Sequence, residues 1–308
     1  MSKLSNLLAS RRQEYSYTLW FMVLLSLVCA IILASLASAL KEPQELAREL
    51  DRSKQMLIAA RIINPDGYFQ VQKDDGTFVP AYAATNGILQ PSEQKITADN
   101  TQIAAVYKAR IGTFLVNNEG KISTFHEAGL SDDKYLQEYF KTGYYRQPWK
   151  LLYKIYGNIP PEGNKERDAI GYVFPVNGMG LWDAIYGYLA IKTDANTVIG
   201  ISWYDQKETP GLGGNISEPS WQNQFHGKHI FQESPDGKTN FKSAPLGITV
   251  VKGKVSELLG DSPKALSAVD GMAGATLTGN GVSSAYQDVL AAYRPFLEHV
   301  HNEYVQSH

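Results

Sequence analysis

Three consecutive strands are predicted by the stretch IGYVFPVNGMGLWDAIYGYLAIKTDANTVIGISWY, which runs from Ile170 to Tyr204. Its strand segments, rich in β-branched and aromatic residues, are Ile170–Val176, Ala184–Ile191 and Thr197–Tyr204. Asp194-Ala195-Asn196 separates the last two, and these residue types favour a turn. Because strands with such short connections lie next to one another, the stretch predicts a largely antiparallel sheet rather than a doubly wound parallel one.

Further strands flank this stretch on both sides. Ile111–Val116 and Ile122–Phe125 are predicted strands, joined through Asn117-Asn118-Glu119-Gly120, which is typical of a hairpin turn. Leu246–Val251 is predicted to form one more strand.

Helices are predicted before, between and after these strands. A helix is expected to begin at Pro43 and run through Ile63, and Ser131 is suited to cap a short one. Apolar residues from Val282 to Val300 recur at i, i+3, i+4 and i+7, the spacing of one long amphipathic helix. The predicted fold class is therefore α+β, a mixed and largely antiparallel sheet with flanking helices.

One segment is long and apolar enough to cross a membrane. Its core, LWFMVLLSLVCAIILASLASAL, spans Leu19–Leu40, carries no charge and has Trp20 at one end, where an aromatic belt would lie. As a helix it would be about 33 Å long, against a hydrocarbon thickness of roughly 30 Å. A cleaved signal peptide is the alternative, because Ala37-Ser38-Ala39 resembles a cleavage site. An anchor is favoured, since signal peptides have apolar regions of only about 7–15 residues.

Composition excludes several classes of protein. With 44% apolar and 19% charged residues the chain is globular, and its net charge of −2, without a basic block, gives no electrostatic reason to bind nucleic acid. The single cysteine, Cys29, excludes intramolecular disulfides and cysteine-based metal clusters. The histidines form no metal-site pattern, no dinucleotide fingerprint follows a strand, and no nucleophile–base constellation is visible. The sequence therefore predicts no metal, NADH or catalytic site.

Three glycine-containing segments are candidates for ligand binding. Asp270–Gly281 (DGMAGATLTGNG) precedes the last predicted helix, whose amino terminus would suit a phosphate. The alternative is an ordinary loop in which Thr278 or Asn280 caps that helix. Glu208–Gly214 (ETPGLGG) is a rigid turn after a strand, and Gly178–Asp183 (GMGLWD) is a bent segment with an aromatic side chain. Either of these also occurs as a plain tight loop or a glycine-bent strand.

These three segments resemble the FMN-binding domains of the sodium-translocating NADH:quinone reductases and the related Rnf complexes. The family's attachment motif is Asp, two free positions, Ser or Thr, then Gly-Ala-Thr, and Asp270, Gly274, Ala275 and Thr276 match it, with Ala273 at the Ser/Thr position. Glu208–Gly213 resembles the Glu-Thr-Pro-Gly-Leu-Gly signature, although Gln206 stands where a His is usual. Gly178–Trp182 resembles the Gly-x-Gly-Leu-Trp segment. The order of the motifs, the single span and the chain length are similar to those of the NqrC family within these reductases.

The resemblance implies covalent FMN, held by a phosphoester to Thr276. It also implies these further flavin contacts: Asp270, Gly274, Ala275, Leu277, Thr278, Gly180, Leu181, Trp182, Glu208, Thr209, Pro210, Gly211 and Leu212. The implied organisation is a cytoplasmic amino terminus (1–18), a transmembrane helix (19–40), a helical stalk (41–65) and an extracytoplasmic FMN-binding domain (66–308), with the FMN motifs in 170–300. The counts of Lys and Arg on the two sides of the span are nearly equal, so the orientation follows from the resemblance alone.

The function implied is single-electron transfer toward quinone within a sodium-pumping NADH:ubiquinone reductase of the inner membrane. The implied partners are the reductase subunits A, B, D, E and F, membrane lipid, and a flavin transferase that attaches FMN. The FMN-carrying G component of an Rnf-type ferredoxin:NAD oxidoreductase and an anchored binding domain without redox function are the alternatives. On the physical reading of the last segment, a helix near Val282 points its amino terminus at the FMN phosphate. Gly281→Asp is then expected to reduce flavin attachment with little loss of thermal stability.

Overall fold

The computed structural model describes residues 2–73, 75–84, 86–158, 168–234, 236–237 and 239–307, with the backbone alone for residues 2–16. Internal contacts divide the chain into two compact units, Met1–Asp51 and Arg52–His308. The side chains of the basic residues that precede the span, among them Lys3 and Arg11, lie outside the described ones.

The first unit consists of one long helix. Helix α1 spans Ser2–Ala59, and its last residues, from Arg52, belong to the second unit. The part from Tyr17 onward is long and apolar enough to cross a membrane, and none of its most apolar window is buried. Because water would meet that apolar surface at a cost of about 25 cal/mol per Å², the helix is consistent with a single-pass membrane anchor.

The predicted stalk helix differs from the structure at both ends. Pro43 lies inside α1 rather than at its start. The helix therefore continues through a position where proline provides no backbone N–H donor. The helix ends at Ala59 instead of Ile63, since Arg61 takes a positive φ of 55°. The Ile62 N–H then donates to the Leu57 carbonyl at 2.8 Å and closes the helix end.

The second unit has the predicted α+β fold. Its strands are β1 (Phe69–Gln72), β2 (Phe78–Ala83), β3 (Leu89–Pro91), β4 (Ile111–Val116), β5 (Ile122–Ser123), β6 (Lys150–Tyr156), β7 (Ala169–Met179), β8 (Ala184–Lys192), β9 (Val198–Asp205), β10 (Thr249–Val250) and β11 (Ala268–Val269). Its helices are α2 (Asn100–Arg110), α3 (Asp132–Tyr139), α4 (Pro219–Gln222), α5 (Val255–Leu258), α6 (Thr276–Ala292) and α7 (Arg294–Ser307).

A six-stranded antiparallel sheet in the order β5-β4-β6-β7-β8-β9 forms the centre of this unit. The three strands predicted from Ile170 to Tyr204 are β7, β8 and β9, and the predicted hairpin pairs β4 with β5. β1–β3 form a separate antiparallel sheet, and β10 and β11 form a short parallel pair.

The large sheet is covered on both faces. On one face Phe174 and Trp203 are buried in the same core as Tyr286 and Phe296 from α6 and α7. The other face carries Tyr153 and Tyr188, which are both buried and whose ring centroids lie 6.4 Å apart. Burial raises the pKa of each of these two hydroxyls far above its ordinary value, so both stay protonated. This two-sided burial explains why the strands are apolar on both faces.

Two predicted strands are shorter in the structure. β5 stops at Ser123 rather than Phe125, because the Thr124 N–H donates to the Glu127 carboxylate at 2.8 Å and turns the chain. The strand predicted at Leu246–Val251 is reduced to Thr249–Val250.

The last predicted helix is two helices. α6 begins at Thr276, six residues before Val282, and ends at Ala292, and α7 continues from Arg294. Pro295 follows the break, where it lacks the N–H that an uninterrupted helix would use. The segment Gly279-Asn280-Gly281, predicted as a loop, is helical because Gly279 packs against β10 and Gly281 packs against β7.

That packing admits no side chain at two glycines. A Cβ on Gly281 would lie 2.1 Å from the Met179 carbonyl oxygen, and one on Gly178 would lie 2.6 Å from the Ala285 Cβ. The Gly281→Asp prediction assumed that residue 281 precedes the helix, and that assumption is wrong. Gly281 lies in the second turn of α6 and faces the backbone of β7. An aspartate there disturbs the fold before it meets any phosphate.

Gly281→Ala is expected to destabilise the second unit by about 1–3 kcal/mol, the usual cost of overpacking. Alanine gains about 1 kcal/mol of helix propensity over glycine, but the carbonyl at 2.1 Å is backbone and cannot move aside cheaply. Asn280→Ala is the control, because Asn280 is exposed on the same helix. Thermal melting of both variants checks this, and an unchanged melting temperature for Gly281→Ala would contradict the packing described.

Candidate functional site

The three glycine-containing segments meet at one end of the large sheet. Residues 180–183 form the hairpin loop between β7 and β8, closed by the pairing of Met179 with Ala184. Glu208–Gly214 follows β9, whose end pairs with β8 beside that loop. Asp270–Gly281 leads into α6, which packs against β7. Antiparallel pairing and one helix–strand contact thus bring together segments that are far apart in sequence.

A buried carboxylate connects the three segments. The Trp182 N–H donates to Glu208 Oε1 at 3.0 Å, and the Thr278 hydroxyl donates to Glu208 Oε2. Glu208 and Thr278 are only 4% and 1% exposed. Gly180 and Gly213 leave the room that the carboxylate needs, since a Cβ at either would lie 2.4 Å from Glu208 Oε1 or the Thr278 hydroxyl oxygen, respectively.

The Glu208 carboxyl is ionised at neutral pH. Burial raises its pKa, but the hydrogen bonds from Thr278 and from the backbone of the Trp182 loop together outweigh burial. The pKa is therefore lowered from its ordinary value of 4.5. Gln206 adds a further contact, because its side-chain oxygen accepts the Glu208 N–H at 2.6 Å.

Thr276, the predicted attachment residue, is exposed and is the first residue of α6. The residue that precedes the helix is Ala275, so no side chain caps the first turn, and that turn holds no acidic residue. The predictions of Thr278 or Asn280 as the cap are therefore wrong. The helix start keeps its partial positive charge, which favours an anion.

Apolar side chains surround this helix start instead of being buried. Trp182 is 68% and Leu277 61% exposed, and Leu181 and Leu212 are exposed as well. We call these four side chains, one or two from each segment, the apolar platform. The Trp182 ring N–H donates to the Thr209 hydroxyl at 3.1 Å, which fixes the indole despite its exposure. Gly274, with φ of 72°, brings the loop so close that a Cβ would lie 3.0 Å from Leu212 Cδ2.

The predicted contact residues divide into two groups. Thr276, Leu277, Leu181, Trp182, Thr209, Pro210, Gly211 and Leu212 are exposed around the helix start, whereas Ala275, Thr278 and Glu208 are buried. Asp270 is half-buried: its Oδ1 accepts the Val255 N–H at 2.8 Å, and its carbonyl accepts the Trp221 ring N–H at 2.9 Å. These contacts give Asp270 a structural role in holding the loop.

Sequence reasoning missed two neighbours of the site. Gly213 leaves no room for a Cβ, which would lie 2.4 Å from the Thr278 hydroxyl oxygen and 2.8 Å from Glu208 Oε2, and exposed Met179 ends β7 beside the hairpin loop. Gly213 is the last residue of the Glu-Thr-Pro-Gly-Leu-Gly signature, but its place beside both residues could not be predicted, because Glu208 and Thr278 are 70 residues apart. A cavity of about 410 Å³ lies elsewhere, lined among others by Arg61, Phe78 and Asn223. The apolar platform is an open surface, as the exposure of its side chains shows.

Comparisons with known proteins agree with this architecture. Residues 180–291 match the FMN-binding domain family. The C subunit of the Na(+)-translocating NADH-quinone reductase of Chlamydia pneumoniae is 39% identical over 306 residues, covering 96% of each chain. Its counterpart in Vibrio campbellii is 31% identical over 317 residues, covering 95% of this chain and 98% of its own.

Solved structures show the same fold. The crystal structure of the corresponding protein from Parabacteroides distasonis has a TM-score of 0.51 and 24% identity, and covers 84% of this chain and 96% of its own. Shewanella oneidensis NqrC has a TM-score of 0.51 and 20% identity, covering 82% and 99%.

Thr278→Val is expected to lower the stability of the domain by about 1.5–3 kcal/mol at pH 7, since it removes a hydrogen bond to a buried charge. A carboxyl with a lowered pKa stabilises the fold above its ordinary value of 4.5, and this contribution is lost as pH falls through the folded pKa. In Thr278→Val the ionised Glu208 carboxyl contributes less to stability, so acidification removes less stability from the variant than from wild type. The difference in melting temperature from wild type should therefore narrow from pH 7 to pH 3. Thr276→Val, exposed on the same helix, is the control, and a difference independent of pH would refute the ionised contact.

Proposed function

The chain belongs to the NqrC family, the C subunits of Na(+)-translocating NADH-quinone reductases, and from that premise we propose that it carries FMN covalently on Thr276 and relays single electrons toward quinone. As part of an oxidoreductase complex, and with an FMN-binding domain, it is an electron-transfer subunit. Membership of the family supports FMN as the cofactor. The covalent attachment to Thr276 and the transfer of electrons toward quinone are what we propose.

The observation that carries the proposal is the position of Thr276. Its side chain is exposed at the first residue of α6, where no side chain caps the helix and no acid repels an anion. A phosphate on that hydroxyl would lie at the helix amino terminus, which contributes about 0.3–1 kcal/mol toward an anion. The proposal therefore keeps the phosphate at a helix amino terminus, as the sequence predicts. The helix, however, begins at the acceptor residue Thr276 and not near Val282.

The surroundings of Thr276 fit a flat ring system. Leu181, Trp182, Leu212 and Leu277 offer apolar surface that would otherwise face water. The site is a platform and not an enclosing pocket, so a ring on it would leave one face open to an electron partner. An open surface binds a ligand with low affinity. A covalent tether compensates for this, because it holds the ligand at an effective concentration in the millimolar range.

Attachment requires a partner enzyme. In the proposed reaction a flavin transferase uses FAD: the Thr276 oxygen forms a bond to the FMN phosphorus as the pyrophosphate bond breaks. AMP leaves, and the hydroxyl proton is released to the transferase or to solvent. Once attached, FMN supplies one-electron redox chemistry, while this chain holds and orients it.

The two departures from the family pattern leave these features in place. Ala273 is exposed beside the turn, and its missing hydroxyl does not change the exposed position of Thr276. Gln206 uses its side-chain oxygen to hold the Glu208 N–H at 2.6 Å, so the amide supplies an acceptor where the family usually has an imidazole.

The reductase complex and the membrane complete the proposal. We infer an inner-membrane location with residues 41–308 on the periplasmic side and the amino terminus in the cytoplasm, in contact with reductase subunits A, B, D, E and F. The uncharged segment Leu19–Leu40 of α1, in which every residue is exposed, supports the anchor.

Thr276→Val should abolish covalent FMN while the protein still folds, because valine keeps the shape of threonine without its hydroxyl. Wild type, Thr276→Val and Thr276→Ser are co-expressed with a flavin transferase and compared by intact mass and by in-gel flavin fluorescence after denaturation. Serine keeps the hydroxyl and should retain the adduct. A full FMN adduct on the valine variant would move the attachment to another residue, with Thr278 the first to test.

The proposed topology predicts the activity of fusions at His308. A reporter that is active only in the periplasm should be active there, because the single span places everything after Leu40 on the outer side. A reporter that functions only in the cytoplasm serves as the opposing control. Activity of that control fusion would reverse the orientation.

A further inference from the structure

Glu208 is charged, and within the described ranges no lysine, arginine or histidine forms a salt bridge with it. Among the residues that the structure describes, its hydrogen-bond partners are the neutral Thr278 hydroxyl and the backbone N–H groups of the Trp182 loop. The nearest charged side chains on the two adjoining loops, Lys207 and Asp183, pair with each other at the surface. A buried charge without a counter-ion is costly, so its presence needs a reason beyond packing.

The carboxylate lies directly beneath the apolar platform. Its Oε1 accepts the Trp182 N–H, and its Oε2 accepts the hydroxyl of Thr278, two residues beyond Thr276. A Cβ on Gly213, the residue after Leu212, would lie 2.8 Å from Oε2. Each platform segment is therefore fixed through Glu208. A charge so close to the platform acts through protein interior rather than through water, where its field is screened less.

We propose that Glu208 is a positioning residue that holds the acceptor turn of Thr276 against the Trp182 loop and, as a fixed negative charge, lowers the reduction potential of FMN bound there. The inference rests on FMN attachment at Thr276. Adding an electron to the flavin makes the ring system more negative, and a neighbouring carboxylate opposes this. The chain thereby favours a flavin that readily passes its electron on.

The test compares Glu208→Gln with wild type and Asp183→Asn, all loaded by co-expression with a flavin transferase. Glutamine keeps the shape, still accepts from Trp182 and can donate to Thr278, so the variant should fold. Asp183→Asn removes the same charge from the same neighbourhood, but Asp183 is 45% exposed and its field is screened by water. Flavin occupancy, melting temperature and the FMN midpoint potential at pH 7 are measured, the last on the loaded fraction only.

Glu208→Gln should raise the midpoint potential clearly more than Asp183→Asn does. A variant that folds but loads poorly would also support the proposal, as a failure to position the acceptor turn. A folded variant with wild-type occupancy and a potential equal to that of Asp183→Asn would overturn it. Wild type without covalent flavin would instead refute the proposed function, so the two failures are distinguishable.

If Glu208→Gln does not fold, Thr278→Val takes its place. It keeps the carboxylate but removes one donor, so the charge should be lost at a higher pH than in wild type. As the pH is lowered, protonation of Glu208 should raise the FMN midpoint potential by more than the flavin's own pH dependence does. In Thr278→Val this extra rise should begin at a higher pH than in wild type. Identical pH profiles would overturn the proposal.

Discussion

The close contact between α6 and β7 is the constraint on which the site depends. Gly281 lies against the Met179 carbonyl and Gly178 against the Ala285 methyl group, so the helix and the strand approach closely at both glycines. This contact fixes where α6 begins and aims its first turn at the end of the sheet. The β7–β8 hairpin loop and the turn after β9 lie at the same sheet end because the strands are antiparallel neighbours. Backbone geometry therefore brings the start of α6 and the Trp182 loop to the same end of the sheet before any ligand is considered.

A second constraint is electrostatic. Glu208 is buried where the three segments meet, and it is held in its charged form by neutral donors, against the cost of desolvation. In many proteins such a carboxylate would be paired with a cation. Here the glycines at 180 and 213 make room for it, so the arrangement is built around the charge. The platform that rests on this cluster is exposed and apolar, an unfavourable surface in water and a suitable one for a flat cofactor.

The family assignment and the geometry support each other. Relatives that match 95–96% of this chain are C subunits of Na(+)-translocating NADH-quinone reductases, which favours this family over the Rnf alternative. The FMN-binding match covers the sheet end where the segments meet, and an anchored scaffold without redox function would not need the exposed platform. An open platform suits an electron-transfer subunit of a multi-subunit complex.

Local sequence was sufficient for the features that local physics controls. The uncharged run Leu19–Leu40 predicted the anchor, and the turn at Asp194–Asn196 between segments rich in β-branched and aromatic residues predicted the hairpins and the α+β class. Hydropathy and turn propensity act over a few residues, so local sequence contains them. The resemblance located the three segments, and Thr276 is exposed as an acceptor must be.

Tertiary structure alone decided the start of α6, because glycines that favour a loop in isolation are helical when packed on β7. It also decided the role of Glu208, which depends on a hydroxyl 70 residues away and on space left by two other segments. A contact of that kind has no periodicity to detect, since it exists only once the sheet and the helix have brought distant residues together.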